Sequence, residues 1–357
     1  MSDLISYKCP NCGGDLRFSP QNGDYKCEYC GSRFTEQQLE ALFGSQDLKD
    51  QEAEKPAEQE EARSEDGTVL YNCPSCGAEI VTEESTAATF CYYCHNPVIL
   101  SGRLGGEFRP DYVVPFAIDR KRALEIFNGW IAQKKFVPKS FYSKDQIDKF
   151  SGVYFPYLLY SCHVTGRIDG EGRKVQRSQA GDFENITTSV YRVHRDGNLP
   201  VEHLAKNALK KANRILVEGV QPFDTKELKP FKASYLSGFM AEKRDVDKEE
   251  IAGSVEQEVK DYARNQLRAS LAAYEDLRIT DDTLEVTDED WKYALMPVWT
   301  MTYKEAGTGK LYYFSMNGQS GKVIGELPVD QKALMMHALT VALPIFFVLL
   351  ALSYFLL

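Results

Sequence analysis

Cys9-Pro10-Asn11-Cys12 and Cys27-Glu28-Tyr29-Cys30 recur as Cys73-Pro74-Ser75-Cys76 and Cys91-Tyr92-Tyr93-Cys94, and the reading of this repeat decides the fold of the N-terminal third. Each half carries two C-x-x-C hooks with fourteen residues between them, and every cysteine of the second half stands 64 positions after its counterpart. Such self-similarity marks one small module used twice. Two hooks joined by a short hairpin place four thiolates around one Zn²⁺, the arrangement of a four-cysteine zinc ribbon. The expected ligands are therefore Cys9, Cys12, Cys27 and Cys30 for one Zn²⁺, and Cys73, Cys76, Cys91 and Cys94 for a second.

The residues after the hooks agree, because Gly13, Gly31 and Gly77 stand where the backbone turns tightly. His95 replaces that glycine in the fourth hook. It is read as a residue tolerant of the turn rather than as a ligand, since the cysteine tetrad is already complete. Four protein ligands leave zinc no open position for water or substrate, so both sites are expected to be structural. Metal binding should supply most of each ribbon's folding free energy, on the order of 10 kcal/mol or more. No apolar stretch of signal type opens the chain, so the thiols are expected in a reducing compartment, as metal ligands and not as disulfides.

Charge weighs against nucleic acid as the partner. The 357 residues carry 42 Lys and Arg against 52 Asp and Glu, a net −10, the wrong sign for holding phosphate backbones. Residues 69–100 hold Glu79, Glu83 and Glu84 with no Lys or Arg. Tyr25, Tyr29, Tyr92 and Tyr93 are expected to cover a small core or fill a protein interface in preference to stacking on bases. The composition, 43% apolar and 26% charged, excludes wholesale disorder.

These observations divide the chain into a ribbon at 1–43, an acidic linker at 44–68, a second ribbon at 69–104, an α+β body at 105–330 and an apolar helix at 337–357. The linker has nine acids and three bases with Pro56 in its middle, and reads as a solvated tether of roughly 27 Å reach that leaves the ribbons independent. In the body, Asp119 reads as the N-cap of a helix, Ser143 starts a short one, and the apolar spacing over Lys248–Leu277 gives a long amphipathic helix whose apolar face packs on a sheet. Strand pattern appears over Val153–Val164 and Tyr293–Leu327. Phe155-Pro156-Tyr157 and Met296-Pro297-Val298 share an offset of 141, a hint of duplication. Residues 101–215 hold twenty bases and twelve acids, which are read as scattered wet surface.

Cys162 and His163 invite a dyad, yet adjacent strand residues point to opposite faces, so Cys162 is expected to be a buried, inert thiol. No P-loop, dinucleotide fingerprint, H-E-x-x-H or nucleophile elbow occurs, and the chain is not expected to be an enzyme. Ala338–Leu357 contain no charge and would span about 30 Å as a helix, which predicts a single transmembrane anchor. Lys322 and Lys332 precede it, so the N-terminal bulk is expected to be cytoplasmic, beneath the cell membrane.

Beyond the hooks, Asn198-Leu199-Pro200-Val201, Gln221-Pro222-Phe223-Asp224, Leu228-Lys229-Pro230-Phe231 and Tyr235-Leu236-Ser237-Gly238-Phe239 give the chain a more particular look. With the Cys-Pro-x-Cys-Gly ribbons, it resembles the bacterial transcription-factor-IIB-type (TFIIB-type) zinc-ribbon membrane proteins over most of its length. That resemblance implies cytoplasmic ribbons, a C-terminal membrane region, and association with flotillin-like and phage-shock-type membrane stress proteins. The expected function is a membrane-anchored adaptor that recruits cytoplasmic and membrane-associated proteins, with the lipid bilayer engaged by the C-terminal helix. The rival is a membrane-tethered ribbon that binds nucleic acid in a transcription or replication complex.

Overall fold

The computed structural model describes residues 4–43, 68–73, 79–91, 96–180, 182–212 and 214–356. The readings made for most of the linker, for Gly77, Tyr92, Tyr93 and His95, and for the ligands Cys76 and Cys94 lie outside the described residues.

In chain order the strands are β1 Leu4–Ile5, β2 Leu16–Ser19, β3 Asp24–Cys27, β4 Arg33–Phe34, β5 Thr68–Asn72, β6 Glu79–Glu83, β7 Thr86–Phe90, β8 Pro97–Leu100, β9 Tyr112–Val113, β10 Ser151–Ala180, β11 Phe183–Asn207, β12 Lys229–Pro230, β13 Met240–Glu242, β14 Asp276–Lys304, β15 Leu311–Asn317 and β16 Val323–Gly325. The helices are α1 at 36–43, α2 Arg120–Ala132, α3 Lys144–Asp148, α4 Arg214–Gly219, α5 Lys248–Ala269 and α6 Gln331–Leu356. The body is α+β, as its patterns predict.

Its spine is β10, whose 30 residues have a contour length of about 100 Å. On one side β10 pairs antiparallel with β14, from Ser151↔Thr300 to Arg173↔Asp276. On the other it pairs first with β13, parallel at Val153 and Tyr154, and then with β11 from Tyr157↔Asn207 onward. The change of partner falls at Pro156, which has no N–H to give a ladder.

β14 repeats this plan 141 residues later. Its outer edge pairs parallel with β9 at Ala294 and Leu295, reaches Pro297, and opens a hairpin with β15 at Val298↔Asn317. The hydrogen bonds repeat too: Ala208 N donates to Pro156 O at 2.9 Å, and Gly318 N donates to Pro297 O at 2.8 Å. Asn207 Oδ1 accepts from Leu209 N at 3.3 Å, and Asn317 Oδ1 accepts from Gln319 N at 2.8 Å. Phe155 lies directly opposite Met296, so the two halves meet across β10 and β14 as related hairpins. The offset of 141 is thus a repeat of backbone pairing as well as of proline spacing.

Asp119 caps α2 through Oδ1, which accepts from Arg122 N at 2.8 Å. Helix α5 carries a capping box of Asp247 and Glu250 and buries Val255, Val259 and Ala263 against Tyr160, Cys162 and Val164 of β10. It ends at Ala269, short of the sequence expectation of Leu277, and Leu271 continues the apolar contact against Ile168 and Val193. The long strands run far past the predicted segments. Beyond Val164 only alternate residues of β10 meet α5 or the turn after it, and the other face is polar and solvated, so no apolar run marks the strand.

The N-terminal modules are built into this body. β7 pairs with β13 and β8 pairs with both β7 and β1, so the main sheet runs continuously from the first residues of β1 into β10. The surplus bases of 101–215 are largely answered by acids: Lys210 pairs with Glu250, Lys211 with Glu83 and Glu242, Lys206 with Glu258, and Arg173 with Asp276.

Asn317 is fully buried, and its amide donates to Val220 O at 3.0 Å and Pro222 O at 3.1 Å while its Oδ1 holds the turn to Gln319 and Ser320. Asn317→Ala orphans four backbone groups and should lower the unfolding free energy by about 2–4 kcal/mol. The equivalent Asn207→Ala, at a half-exposed turn, should cost less than half as much; urea unfolding of the two variants checks the order.

Candidate metal centre and the docked first module

β2, β3 and β4 form a three-stranded sheet that holds the two hooks of the first module face to face. Each hook closes with the same backbone bonds. Gly13 N donates to Cys9 O at 2.8 Å and Cys9 N to Gly14 O at 2.6 Å; Gly31 N donates to Cys27 O at 3.0 Å and Cys27 N to Ser32 O at 2.8 Å. Gly13 and Gly31 have φ of 72° and 75°, the left-handed conformation that the sequence pattern requires of them.

The four sulfurs converge. Cys9, Cys12, Cys27 and Cys30 place their Sγ atoms within 4.8 Å of one another, with Cys9–Cys30 and Cys12–Cys27 both at 3.6 Å. A tetrahedron with metal–sulfur bonds of about 2.3 Å has edges of about 3.8 Å, so the cluster has the size of a four-cysteine zinc site, and 3.6 Å is far too long for a disulfide. These residues can hold one metal ion. Cys9 and Cys27 are buried while Cys12 and Cys30 are exposed, and no fifth donor joins them among the described residues.

The thiols differ in acidity. Asn11 Nδ2 donates to Ser32 Oγ at 2.9 Å, and the same oxygen lies 3.1 Å from Cys30 Sγ; hydrogen bonding with the Ser32 side chain and backbone holds the Cys30 thiol down at about 6. At Cys12 the Gly14 backbone works in the same direction, but the crowding sulfurs, Cys30 above all, prevail and push it up to about 12. Such a set exchanges its remaining protons for a metal.

Of the second predicted tetrad, Cys73 and Cys91 are described. Both are buried in one apolar cluster with Ile80, Val98 and Leu100. Cys91 N donates to Asn96 O at 2.9 Å, the same five-residue closure that Cys9 and Cys27 make.

Sequence reasoning left the first module free on its tether, whereas it is docked. Phe18 N donates to Ser237 O at 3.0 Å, Ser237 Oγ donates to Leu16 O, and Tyr25 OH donates to Ser234 Oγ at 2.8 Å. The Phe18 and Tyr235 rings meet edge to face at 5.3 Å. Lys232 Nζ lies 2.7 Å from both Glu36 and Glu40 at the start of α1. Burial opposes ionisation of Glu36, but the Lys232 ammonium outweighs it and holds the carboxyl below the usual range. The stretch Tyr235-Leu236-Ser237-Gly238-Phe239 is therefore the seat of the first module, a role that a contact across more than 200 residues hides from local sequence reading.

Cys162 is buried and burial pushes its thiol up, while His163 faces the opposite side of the sheet 3.4 Å from Asp288. The two form no dyad. At the far end of the chain, Gln331–Ser353 of α6 is long and apolar enough to cross a membrane, and its apolar side chains are exposed, from Met335 and Met336 through Leu352.

The chain is 29% identical over 329 residues to the uncharacterized protein YdjG of Bacillus subtilis (strain 168), an alignment that covers 92% of this chain and 91% of that protein. No protein-family model matches, and no solved structure matches.

Because thiolates are the ligands and the crowded sulfurs push the Cys12 thiol up, protons and metal compete, so affinity falls as pH falls. Titration against a chromophoric chelator between pH 8 and 6 should show apparent zinc affinity dropping about tenfold or more per unit. Docking is tested separately by Lys232→Glu, which puts like charge against Glu36 and Glu40. That variant should keep the metal and become cleavable by protease within residues 1–43, while the body resists.

Proposed function

We propose that the protein is a membrane-anchored adaptor, stabilised by two structural zinc ions, that recruits other proteins to the inner face of the membrane. The observation that carries this reading is the pairing, in one chain, of a closed four-thiol cluster with a helix whose exposed apolar surface suits lipid. A closed cluster organises a surface and leaves no coordination position for a reacting group. Accordingly the reading assigns no catalytic residue. The second zinc ion would be held by Cys73, Cys76, Cys91 and Cys94. Its support is the closure Cys91 N to Asn96 O, which copies the first module's hooks, together with the 64-residue repeat.

Helix α6 offers the bilayer an uncharged face through Ser353, with Lys332 at its base suited to the cytoplasmic headgroups. The first module presents an aromatic side chain outward, since Tyr29 at the second hook is 90% exposed. A protein partner suits that surface better than a phosphate backbone does. The resemblance to TFIIB-type zinc-ribbon membrane proteins adds flotillin-like and phage-shock-type proteins as the partners to look for.

The full chain, solubilised in detergent from membranes of the source organism, should contain two zinc ions and stay with the membrane fraction through a carbonate wash. Its captured partners should persist after nuclease treatment. Partners that vanish with nuclease, or an affinity for DNA that falls steeply with salt, would replace the adaptor with a nucleic-acid reading.

A further inference from the structure

The three-stranded arm β11–β10–β14 has two outer edges, and they are guarded differently. Along β14, Asp276, Asp281, Asp282, Glu285, Asp288, Glu289 and Asp290 crowd the stretch before β9 joins, a density of charge that discourages another strand from adding. The inner part of β11 is guarded as well, by Pro200, by the register shift opposite Tyr160–Cys162 and by His203 in the left-handed region at φ 51°.

The outer part is not. Phe183-Glu184-Asn185-Ile186-Thr187-Thr188-Ser189-Val190-Tyr191-Arg192-Val193 contains no Pro, Gly or Lys and is rich in β-branched and aromatic residues. Among the described residues β11 pairs only with β10, so this edge presents an unfilled row of backbone donors and acceptors. Past Arg173↔Asp276, where β14 starts, the hairpin is two-stranded, and Phe183, Ile186 and Val190 stand 76%, 57% and 62% exposed on it. A two-stranded hairpin of this kind is marginal without a further strand.

We propose that this edge pairs with the same edge of a second copy of the chain, antiparallel about a two-fold axis through Thr188. The sequence is self-complementary in that register. Glu184 falls opposite the second copy's Arg192, Ile186 opposite Val190, and Thr188 opposite itself, all on the open face. On the face of α5, Phe183 falls opposite Val193, at the margin of the cluster of Ile168, Val193 and Leu271. Moving the axis two residues along, to Val190, would set Glu184 against Asp196. A two-fold pairing uses each contact twice and closes on itself, so it gives a dimer and no open fibre.

The test is a charge exchange in the full chain in detergent, with protein mass measured by light scattering across a dilution series. The wild type is expected to dimerise. Glu184→Arg and Arg192→Glu each set like charges opposite one another twice, and each should raise the dissociation constant by about tenfold or more. The double variant E184R/R192E should recover the wild-type value. As an independent measure, Thr188→Cys should crosslink to itself between copies, while Glu184→Cys should not, since its nearest equivalent lies eight residues away along the pair. A monomeric wild type, a dimer that neither single variant weakens, or a double variant as weak as the singles each overturns the proposal.

Discussion

Everything in the molecule hangs on one demand: the backbone groups of a 30-residue strand must find partners along its whole length. β10 meets it with β14 on one side as far as Arg173 and with β13 and then β11 on the other, and leaves only its outermost residues with one strand partner and water. The handover at Pro156 costs no donor because proline has none, and β14 solves the same problem at Pro297. Because β13 also pairs with β7, the ladder that begins as a scaffold for the body ends as the mooring of the N-terminal modules. The lead-in strand β1 and the long arm are thus joined through one sheet, and the metal centre, on its own three-stranded sheet, sits beside it.

What was legible in the sequence is what depends on near neighbours. The hooks could be read because thiolate geometry fixes spacing over three residues, and α2 and α5 because their apolar residues recur at helical period. The long strands were not. From Gly166 to Arg173 β10 alternates small or apolar residues, such as Gly166, Ile168 and Gly172, with charged ones, and glycines there carry no apolar signal. Their purpose shows only in the packing: a Cβ at Gly166 would meet Leu267 at 2.6 Å, and one at Gly172 would meet the Tyr274 ring at 2.7 Å, so the sheet is kept bare to let α5 and its following turn close down. The prolines at offset 141 carried more than two matching residues suggest, since each marks a change of strand partner.

Charge tells a similar story at longer range. The local surplus of bases in 101–215 looks like a candidate binding patch when the segment is read by itself. In the fold, Lys211 reaches Glu83 beside the second module, Lys206 and Lys210 reach α5, and Lys174 sits over the rings of Tyr191 and Tyr274. A charge count along the chain therefore overstates the field at the surface, because opposite charges from distant segments screen one another at contact.

The first module raises the question of which interaction governs its folded state, the metal or the seat. Its apolar residues Leu16, Phe18, Tyr25 and Leu39 are buried in a single cluster with Tyr235, Leu236 and Phe239, so the module completes its core only against the body. Burying a large side chain is worth about 2–3 kcal/mol. Shared among Phe18, Tyr25 and Tyr235, that amounts to several kcal/mol, before the ordering of some forty residues at about 1 kcal/mol or more each is counted against it. A metal in a four-thiolate site contributes on the order of 10 kcal/mol or more, which exceeds the seat's share. The seat decides where the module sits, and the metal decides whether there is a folded module to occupy it; loss of the ion would undo the docking and uncover the Tyr235–Phe239 surface.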